Sequence, residues 1–338
     1  MSEYLNEVLA DSLTVIHDEP KKHARRGHVF LGYPCSYKCV FCYGNVSRAL
    51  HPFISKDSII EYLKFIKAYG ILDVEFTGGE PTIYPENDFL DILEFSKENF
   101  EKISIISNGC ADLKYYRKLG EFADDFVFSL HGYDMLSHEK ITGVAGSWKK
   151  INEAISGCEK PVRINTTICR YNYEYLFEHA CHVSKNFSNI IAINYLPTNS
   201  WDESMAIEDA SVPYEKYSWQ LAYSIMRICK DVKISIRYAP FCAFPEHIRP
   251  YVMGHVHHMY DAYDWNQELD GKTIYPEYLE HEYGFFSVAK IREKRKSLYR
   301  KFKFCVDCKY FHVCDGFQKN QIEREFPYII HYRKQIGV

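Results

Sequence analysis

Up to about residue 197, short apolar runs alternate with polar-faced helical stretches. The runs 28–34 (HVFLGYP), 72–76 (LDVEF), 103–106 (ISII), 126–130 (FVFSL), 162–168 (VRINTTI) and 190–196 (IIAINYL) are brief and rich in β-branched or aromatic residues, a pattern that predicts strands. The segments 57–69, 85–99, 111–123, 146–157 and 173–186 between them carry apolar residues at spacings of three and four, which predicts helices. A series of six strand-then-helix units implies parallel strands joined by right-handed crossovers. Such a sheet is either open or curled into a partial barrel, and in both forms ligands bind at the carboxyl ends of its strands. Beyond residue 197 the alternation fades. A helix is expected over 213–231, a strand over 233–238 (KISIRY), and irregular structure with short helices over 242–338. There is no internal repeat and no low-complexity tract.

Composition narrows the class. Of 338 residues, 46% are hydrophobic and 25% charged, which excludes a disordered chain. No window approaches 18 consecutive apolar residues, so no membrane span is expected. The first twenty residues include Glu3, Glu7, Asp11 and Asp18 but no Lys or Arg, unlike a secretory signal, and a cytoplasmic protein is expected. A net charge of −4 argues against a long nucleic-acid partner. Twelve cysteines in a reducing compartment point to metal or redox chemistry rather than disulfides.

Three of them lie in Cys35-Ser-Tyr-Lys-Cys39-Val-Phe-Cys42, directly after the first predicted strand, which Tyr33 and Pro34 break. A closed zinc site or a stand-alone electron-transfer cluster normally takes four ligands. Three thiolates would leave one iron of a [4Fe–4S] cluster open; the alternative is a zinc knuckle with a distant fourth ligand. Thr77-Gly78-Gly79-Glu80-Pro81-Thr82 follows the second strand, where two glycines would let a backbone approach a ligand closely. Ser107-Asn108-Gly109 ends the third strand, Ser129-Leu130-His131-Gly132 the fourth, and Asn165 and Thr167 lie on the fifth.

Over about residues 25–200 the chain resembles the radical SAM enzymes, whose hallmark is a CxxxCxxC loop after strand one with an aromatic before the last cysteine, here Phe41. The resemblance implies a partial (β/α)6 barrel. It implies that Cys35, Cys39 and Cys42 hold a [4Fe–4S] cluster whose open iron chelates S-adenosylmethionine (SAM). Gly78, Gly79 and Glu80 would bind the methionyl ammonium, Ser107 and Asn108 would border the cofactor, and Ser129 and Asn165 would contact its carboxylate or ribose. At the position of His131 the family often has Asp. Reductive cleavage of SAM would give a 5′-deoxyadenosyl radical that takes a hydrogen atom from an unactivated C–H bond.

A second set, Cys305-Val-Asp-Cys308-Lys-Tyr-Phe-His-Val-Cys314, lies far downstream, and Cys242 sits in Pro240-Phe241-Cys242. These four could hold one further [4Fe–4S] cluster, with His312 or substrate completing the site if Cys242 does not. The region looks like the twitch or SPASM extensions of radical SAM enzymes. The full SPASM pattern has a further cysteine where this chain has Gln318, so a single auxiliary cluster is expected. A structural zinc site on the same ligands is the alternative. Cys110, Cys158, Cys169, Cys181 and Cys229 remain. Buried hydrophobe is their default role, but Cys110 or Cys169, at strand ends, could return a hydrogen atom to a substrate radical.

Two weaker features are polar loops or functional patches. One is the stretch with His255, His257 and His258. The other is the basic run 290–303, with the smaller group Lys21, Lys22, Arg25 and Arg26, either of which could dock an acidic donor such as flavodoxin or ferredoxin. The expected organisation is an N-terminal helical extension (1–27), the barrel (28–200), a linking helix and strand (201–240) and a smaller C-terminal Fe–S extension (241–338). The short segment before the barrel argues against a leader-guided peptide modifier. The expected enzyme is therefore of oxidoreductase or epimerase type, dehydrogenating or epimerising a small polar metabolite such as a sugar, aminocyclitol or nucleoside. A maturase of ribosomal peptides is the alternative, and a non-catalytic zinc or Fe–S binding protein the rival of another class.

Overall fold

A computed structural model of the chain describes residues 9–10, 26–42, 44–47, 52–68, 70–198, 210–228, 232–253, 299–311, 314 and 316–336. Cys229, His255, His257, His258, His312, the patch Lys21, Lys22 and Arg25, and the stretch 290–298 lie outside the described residues. In chain order the strands are β1 (Leu9–Ala10), β2 (Arg26–Phe30), β3 (Asp73–Thr77), β4 (Lys102–Ser107), β5 (Asp125–Ser129), β6 (Val162–Ile168), β7 (Ile190–Pro197), β8 (Lys233–Arg237), β9 (Val252–Met253), β10 (Tyr299–Phe302) and β11 (Phe317–Gln318). The α-helices are α1 (Gly44–Ser47), α2 (Lys56–Ala68), α3 (Glu86–Asn99), α4 (Leu113–Leu119), α5 (Met135–Thr142), α6 (Ser147–Ser156), α7 (Leu176–Asn186), α8 (Ser218–Ile228), α9 (Ile322–Glu325) and α10 (Ile329–Ile336).

Strands β2 to β9 form one sheet in which sequence neighbours are sheet neighbours and every pairing is parallel. One face is apolar and covered by helices: Val29, Val74, Phe76, Ile103, Ile105, Phe126, Phe128, Ile164, Ile193, Ile234 and Ile236 are buried there. Helix α2 sets Ile59, Leu63 and Ile66 against this layer, and α3 sets Phe89, Ile92 and Leu93. Many of the alternate residues are polar, and their contacts show that the sheet curls. Arg163 on β6 donates to Glu75 on β3 at 3.0 Å and to Asp125 on β5 at 2.8 Å. Strands β3 and β6 are three strand spacings apart, roughly 14 Å on a flat sheet. An arginine cannot cover that, so the polar face is the concave inside of a partial barrel. Arg163, His28 and Arg26 hold the buried Glu75 carboxyl well below the usual carboxylate range against the opposing effect of burial.

The sheet extends beyond the expected barrel boundary. Strand β8, expected in a linking segment, pairs with β7, and β9 pairs with β8, because Ile234 and Ile236 continue the apolar face. The helical expectation for 1–27 is corrected at both described points. Leu9–Ala10 is a strand paired with Phe302 and Lys301, and Arg26–Gly27 opens β2. Helix α5 falls where no helix was predicted. It is only eight residues long, with its N-terminus capped by the Asp134 carboxylate, which accepts from the Ser137 amide, and its C-terminus closed by Gly143 at φ 69°.

The C-terminal part is a three-stranded antiparallel sheet, β1-β10-β11, followed by α9 and α10. It is tied to the barrel side. Gln321 donates to the Thr198 carbonyl at 2.9 Å, and the Tyr214 amide donates to Glu325 at 3.0 Å. Glu325 also accepts from the Tyr332 hydroxyl, and burial pushes its carboxyl up to about 7. Among the described residues no helix is long and apolar enough to cross a membrane.

Candidate active site

The Cys35–Cys42 loop leaves the carboxyl end of β2 and is braced from two sides. The Lys38 and Val40 amides donate to Thr142 and Ile141 at the end of α5, at 2.9 and 3.0 Å. On the other side the Gly79 amide donates to Gly32 O at 2.7 Å and the Glu80 amide to Pro34 O at 2.9 Å. These contacts change the account of the two glycines. A Cβ on Gly79 would stand 2.1 Å from Pro34 O, and one on Gly78, at φ 135°, would stand 2.6 Å from Gly32 O. The backbone they admit so closely is that of the cysteine loop itself.

The thiols of Cys35, Cys39 and Cys42 are half-buried on this one loop. Two N–H groups are directed at the Cys35 sulfur: the Tyr37 amide at 3.4 Å and the Asn108 side-chain amide at 3.5 Å. A thiolate set receiving N–H donors fits an iron–sulfur cluster, whose sulfurs accept such bonds. Phe41 meets the His131 ring edge-to-face at 4.8 Å and packs with Ile141, Cys169, Ala210 and Tyr171. His131 is buried, and desolvation together with His138 and His179 holds its pKa well below the usual value. Its Nδ1 accepts from the Thr167 amide at 3.2 Å and its carbonyl accepts from the Asn172 side chain at 2.7 Å. It is thus a neutral brace between the ends of β5 and β6.

Glu80 is 1% exposed and turned into the protein. Its Oε1 accepts from the Thr82 amide (3.1 Å), the Thr82 hydroxyl (2.7 Å) and the Ser107 hydroxyl (2.8 Å), and its Oε2 accepts from the Asn108 amide (2.7 Å). Burial pushes its carboxyl pKa up against these four donors. This carboxylate fixes Asn108, and Asn108 reaches Cys35. Glu80→Ala would leave several buried donors without a partner, and hydrogen bonds to a charged group contribute about 1.5–3 kcal/mol each. The variant is expected to lose ~3 kcal/mol or more of stability, together with iron and SAM affinity. Denaturation and iron assays check this; unchanged stability with weakened SAM binding would mean that the carboxylate acts on the ligand alone.

On the concave face Ser129 lies beside Asn165 in register. Asn165 accepts from Asn194 at 2.9 Å, and Asn194 accepts from Ser235 at 2.8 Å, a polar ladder across β6, β7 and β8. Asn194 and Ser235 went unmarked in the sequence because no motif surrounds them, although Asn194 lies between the buried Ile193 and Tyr195 and Ser235 between the buried Ile234 and Ile236. The Cys110 thiol lies 3.5 Å from the Thr82 hydroxyl, on the Glu80 side of the site, and burial pushes its pKa up. Cys169 is fully buried behind Phe41, its thiol pushed by burial up to about 11.

The second group of cysteines assembles elsewhere. Cys242, Cys305, Cys308 and Cys314 line one cavity with Phe241, Lys301, Tyr310 and Phe317. Cys242 arrives on the turn after β8, about sixty residues upstream of the others in sequence. Burial and then the neighbouring Cys314, Cys305 and Cys308 push its thiol well up. Among the described residues no group of three or more His, Cys, Asp or Glu converges as a single-ion site. The four thiols line one cavity, and four sulfurs placed so would fit an iron–sulfur cluster.

A curled parallel sheet with these motifs at its carboxyl edge defines a class, and residues 29–168 match the family model of the radical SAM superfamily. The chain carries a radical SAM domain, and such a domain works with a [4Fe–4S] cluster and SAM. Among curated relatives, a probable GTP 3′,8-cyclase of Saccharolobus islandicus is 31% identical over 157 residues, 44% of this chain and 50% of the relative. One from Sulfurisphaera tokodaii is 31% identical over 153 residues, 44% and 48% of the two chains. The chain thus spans about half the length of the curated relatives it matches. Among solved structures, Streptococcus suis SuiB bound to its precursor peptide SuiA aligns over 90% of this chain and 74% of its own, with a TM-score of 0.63 and 17% identity. The anSMEcpe structure with bound AdoMet and the Cp18Cys peptide aligns over 92% and 95%, with a TM-score of 0.60 and 15% identity. At these identities the likeness is one of fold.

Proposed function

We propose that this radical SAM enzyme holds a second, auxiliary [4Fe–4S] cluster on Cys242, Cys305, Cys308 and Cys314 and oxidises a peptide substrate. The observation that carries the reading is the meeting of those four thiols around one cavity, in a C-terminal part tied to the barrel side. With SAM bound at the first cluster, the group supplies a radical able to take hydrogen from an unactivated C–H bond. The chain's residues do the rest. Cys35, Cys39 and Cys42 hold the first cluster, and Glu80 anchors the backbone amide of Asn108, whose side-chain amide points at the Cys35 sulfur. The Asn165–Asn194–Ser235 ladder and Ser129 offer polar groups to the ligand on the concave face. Cys110 is a candidate hydrogen donor from the Glu80 side, whereas Cys169 is walled off behind Phe41. An acidic one-electron donor, flavodoxin or ferredoxin, is the proposed source of the electron.

Structures aligned along most of the chain include two solved with peptides, SuiB with SuiA and anSMEcpe with Cp18Cys, which supports the peptide reading. The likeness of the barrel half to probable GTP 3′,8-cyclases favours a second reading, a nucleotide-like small molecule. Neither group of proteins is named for sugar or aminocyclitol chemistry, and those substrate classes are not carried forward.

The test uses anaerobically reconstituted protein, expected to carry about eight irons. With SAM, dithionite and a perdeuterated extract of the source organism divided into peptide and small-molecule fractions, mass spectrometry should find deuterium in 5′-deoxyadenosine from the peptide fraction. Deuterium from the small-molecule fraction alone would establish the second reading. Zinc in place of iron at both sites would overturn the enzyme reading altogether.

A further inference from the structure

The cavity of the four C-terminal thiols is lined by one buried cationic side chain and backed by a second, and the reading above leaves both without a role. Lys301 on β10 is 2% exposed and lines the cavity. Its ammonium donates to the Phe311 carbonyl at 2.5 Å and lies 4.0 Å from the centre of the Phe311 ring. Gly316 makes room for it: a Cβ there would stand 2.9 Å from the Lys301 stem, and the Gly316 amide donates to the Cys314 sulfur at 3.3 Å. Arg249, also 2% exposed, donates through Nε to the Phe241 and Phe244 carbonyls at 3.2 and 3.1 Å, clasping the turn that carries Cys242. Its guanidinium lies 5.5 Å from the centre of the Tyr310 ring, another wall of the cavity.

A cluster on four thiolates would place negative charge beside the buried Lys301 ammonium, and it would gain one further negative charge on reduction. Cations held in a poorly solvated wall therefore favour its reduced form, since net charge and hydrogen bonds to sulfur set the potentials of such clusters.

Resting on the auxiliary-cluster reading, we propose that Lys301 and Arg249 are positioning charges that raise the reduction potential of the C-terminal cluster and so fit it to accept an electron. Lys301 is the direct probe, because Arg249 also shapes the Cys242 turn.

The experiment is an anaerobic redox titration followed by electron paramagnetic resonance. It uses the full chain with Cys35, Cys39 and Cys42 replaced by Ala, so that the C-terminal cluster alone gives the signal. Lys301→Met removes the charge. Lys301→Gln removes it while retaining a donor for the Phe311 carbonyl, and Lys301→Arg keeps it. Both neutral variants should shift the reduction equilibrium against the reduced form at least tenfold, about 59 mV for a one-electron couple, with Lys301→Arg close to the parent. Unchanged potentials in iron-loaded neutral variants would overturn the proposal. Loss of iron from both neutral variants would also overturn it, making Lys301 a requirement for assembly instead of a tuning charge. A parent that binds no iron at the C-terminal cysteines would instead refute the auxiliary-cluster reading itself, which iron analysis before the titration distinguishes.

Discussion

Replacing Cys35, Cys39 and Cys42 together with Ala is expected to abolish reductive cleavage of SAM while leaving the chain folded. In the function proposed above these thiols are the metal donors on the loop at the carboxyl end of β2, so the variant should lose about four of the enzyme's irons. The loop's own geometry does not depend on sulfur. It is held by backbone bonds from Lys38 and Val40 to the end of α5, and from Gly79 and Glu80 to Gly32 and Pro34. The substituted positions are half-buried, so the truncations open no large core cavity. The C-terminal thiols lie on other elements and should keep their iron. The measurement is 5′-deoxyadenosine formed with dithionite, beside an iron count. Continued 5′-deoxyadenosine formation by the triple variant would remove these cysteines from the chemistry.

The barrel was legible because its parallel strands, covered by helices on one face, read as short runs rich in β-branched and aromatic residues, and their helices keep a spacing of three and four. Each motif then fell at a strand end by position alone: the cysteine loop after Phe30, the glycine pair after Thr77, Asn108 after Ser107. Side-chain direction was not legible. Glu80 read as a ligand group because the resemblance gives the Gly-Gly-Glu segment that role. Its inward turn depends on Ser107 and Asn108, almost thirty residues away, offering donors at the right height. The convergence of Cys242 with Cys305, Cys308 and Cys314 was anticipated from residue type, but their meeting depends on how the turn after β8 packs on the C-terminal part, which no local pattern encodes. Helix α5 escaped because eight residues with few apolar positions give no periodic signal; its caps, Asp134 and Gly143, were the available clue. Strand β8 was seen as a strand but assigned to a linker, since membership of a sheet is a long-range property.

The other large effect is expected from Cys308→Ala, which should separate SAM cleavage from turnover. Cys308 sits in a segment folded tightly on itself: its amide donates to Cys305 O at 3.0 Å, its carbonyl accepts from the Phe311 amide at 2.8 Å, and the Cys314 amide donates to Tyr310 O at 2.9 Å. These are backbone bonds, so the Ala side chain should leave the segment in place and remove one of the four thiols on the cavity. A cluster deprived of a ligand in a site built for four is expected to be lost, taking about four irons with it. The Cys35–Cys42 loop is braced by α5 and by the Gly79–Glu80 turn, and the contacts described for it involve no residue of 299–336. The first cluster and its SAM should therefore persist, and 5′-deoxyadenosine should still form with dithionite. Product should not, because in the function proposed above the step after hydrogen abstraction would have lost its electron acceptor. The result to look for is uncoupled 5′-deoxyadenosine at near-parental amounts, half the iron and no modified substrate. Parental iron content would refute the ligand assignment of Cys308. Absence of 5′-deoxyadenosine with the first cluster intact would show that the ties through Thr198–Gln321 and Tyr214–Glu325 couple the two sites, and that the C-terminal part is needed to hold SAM in place.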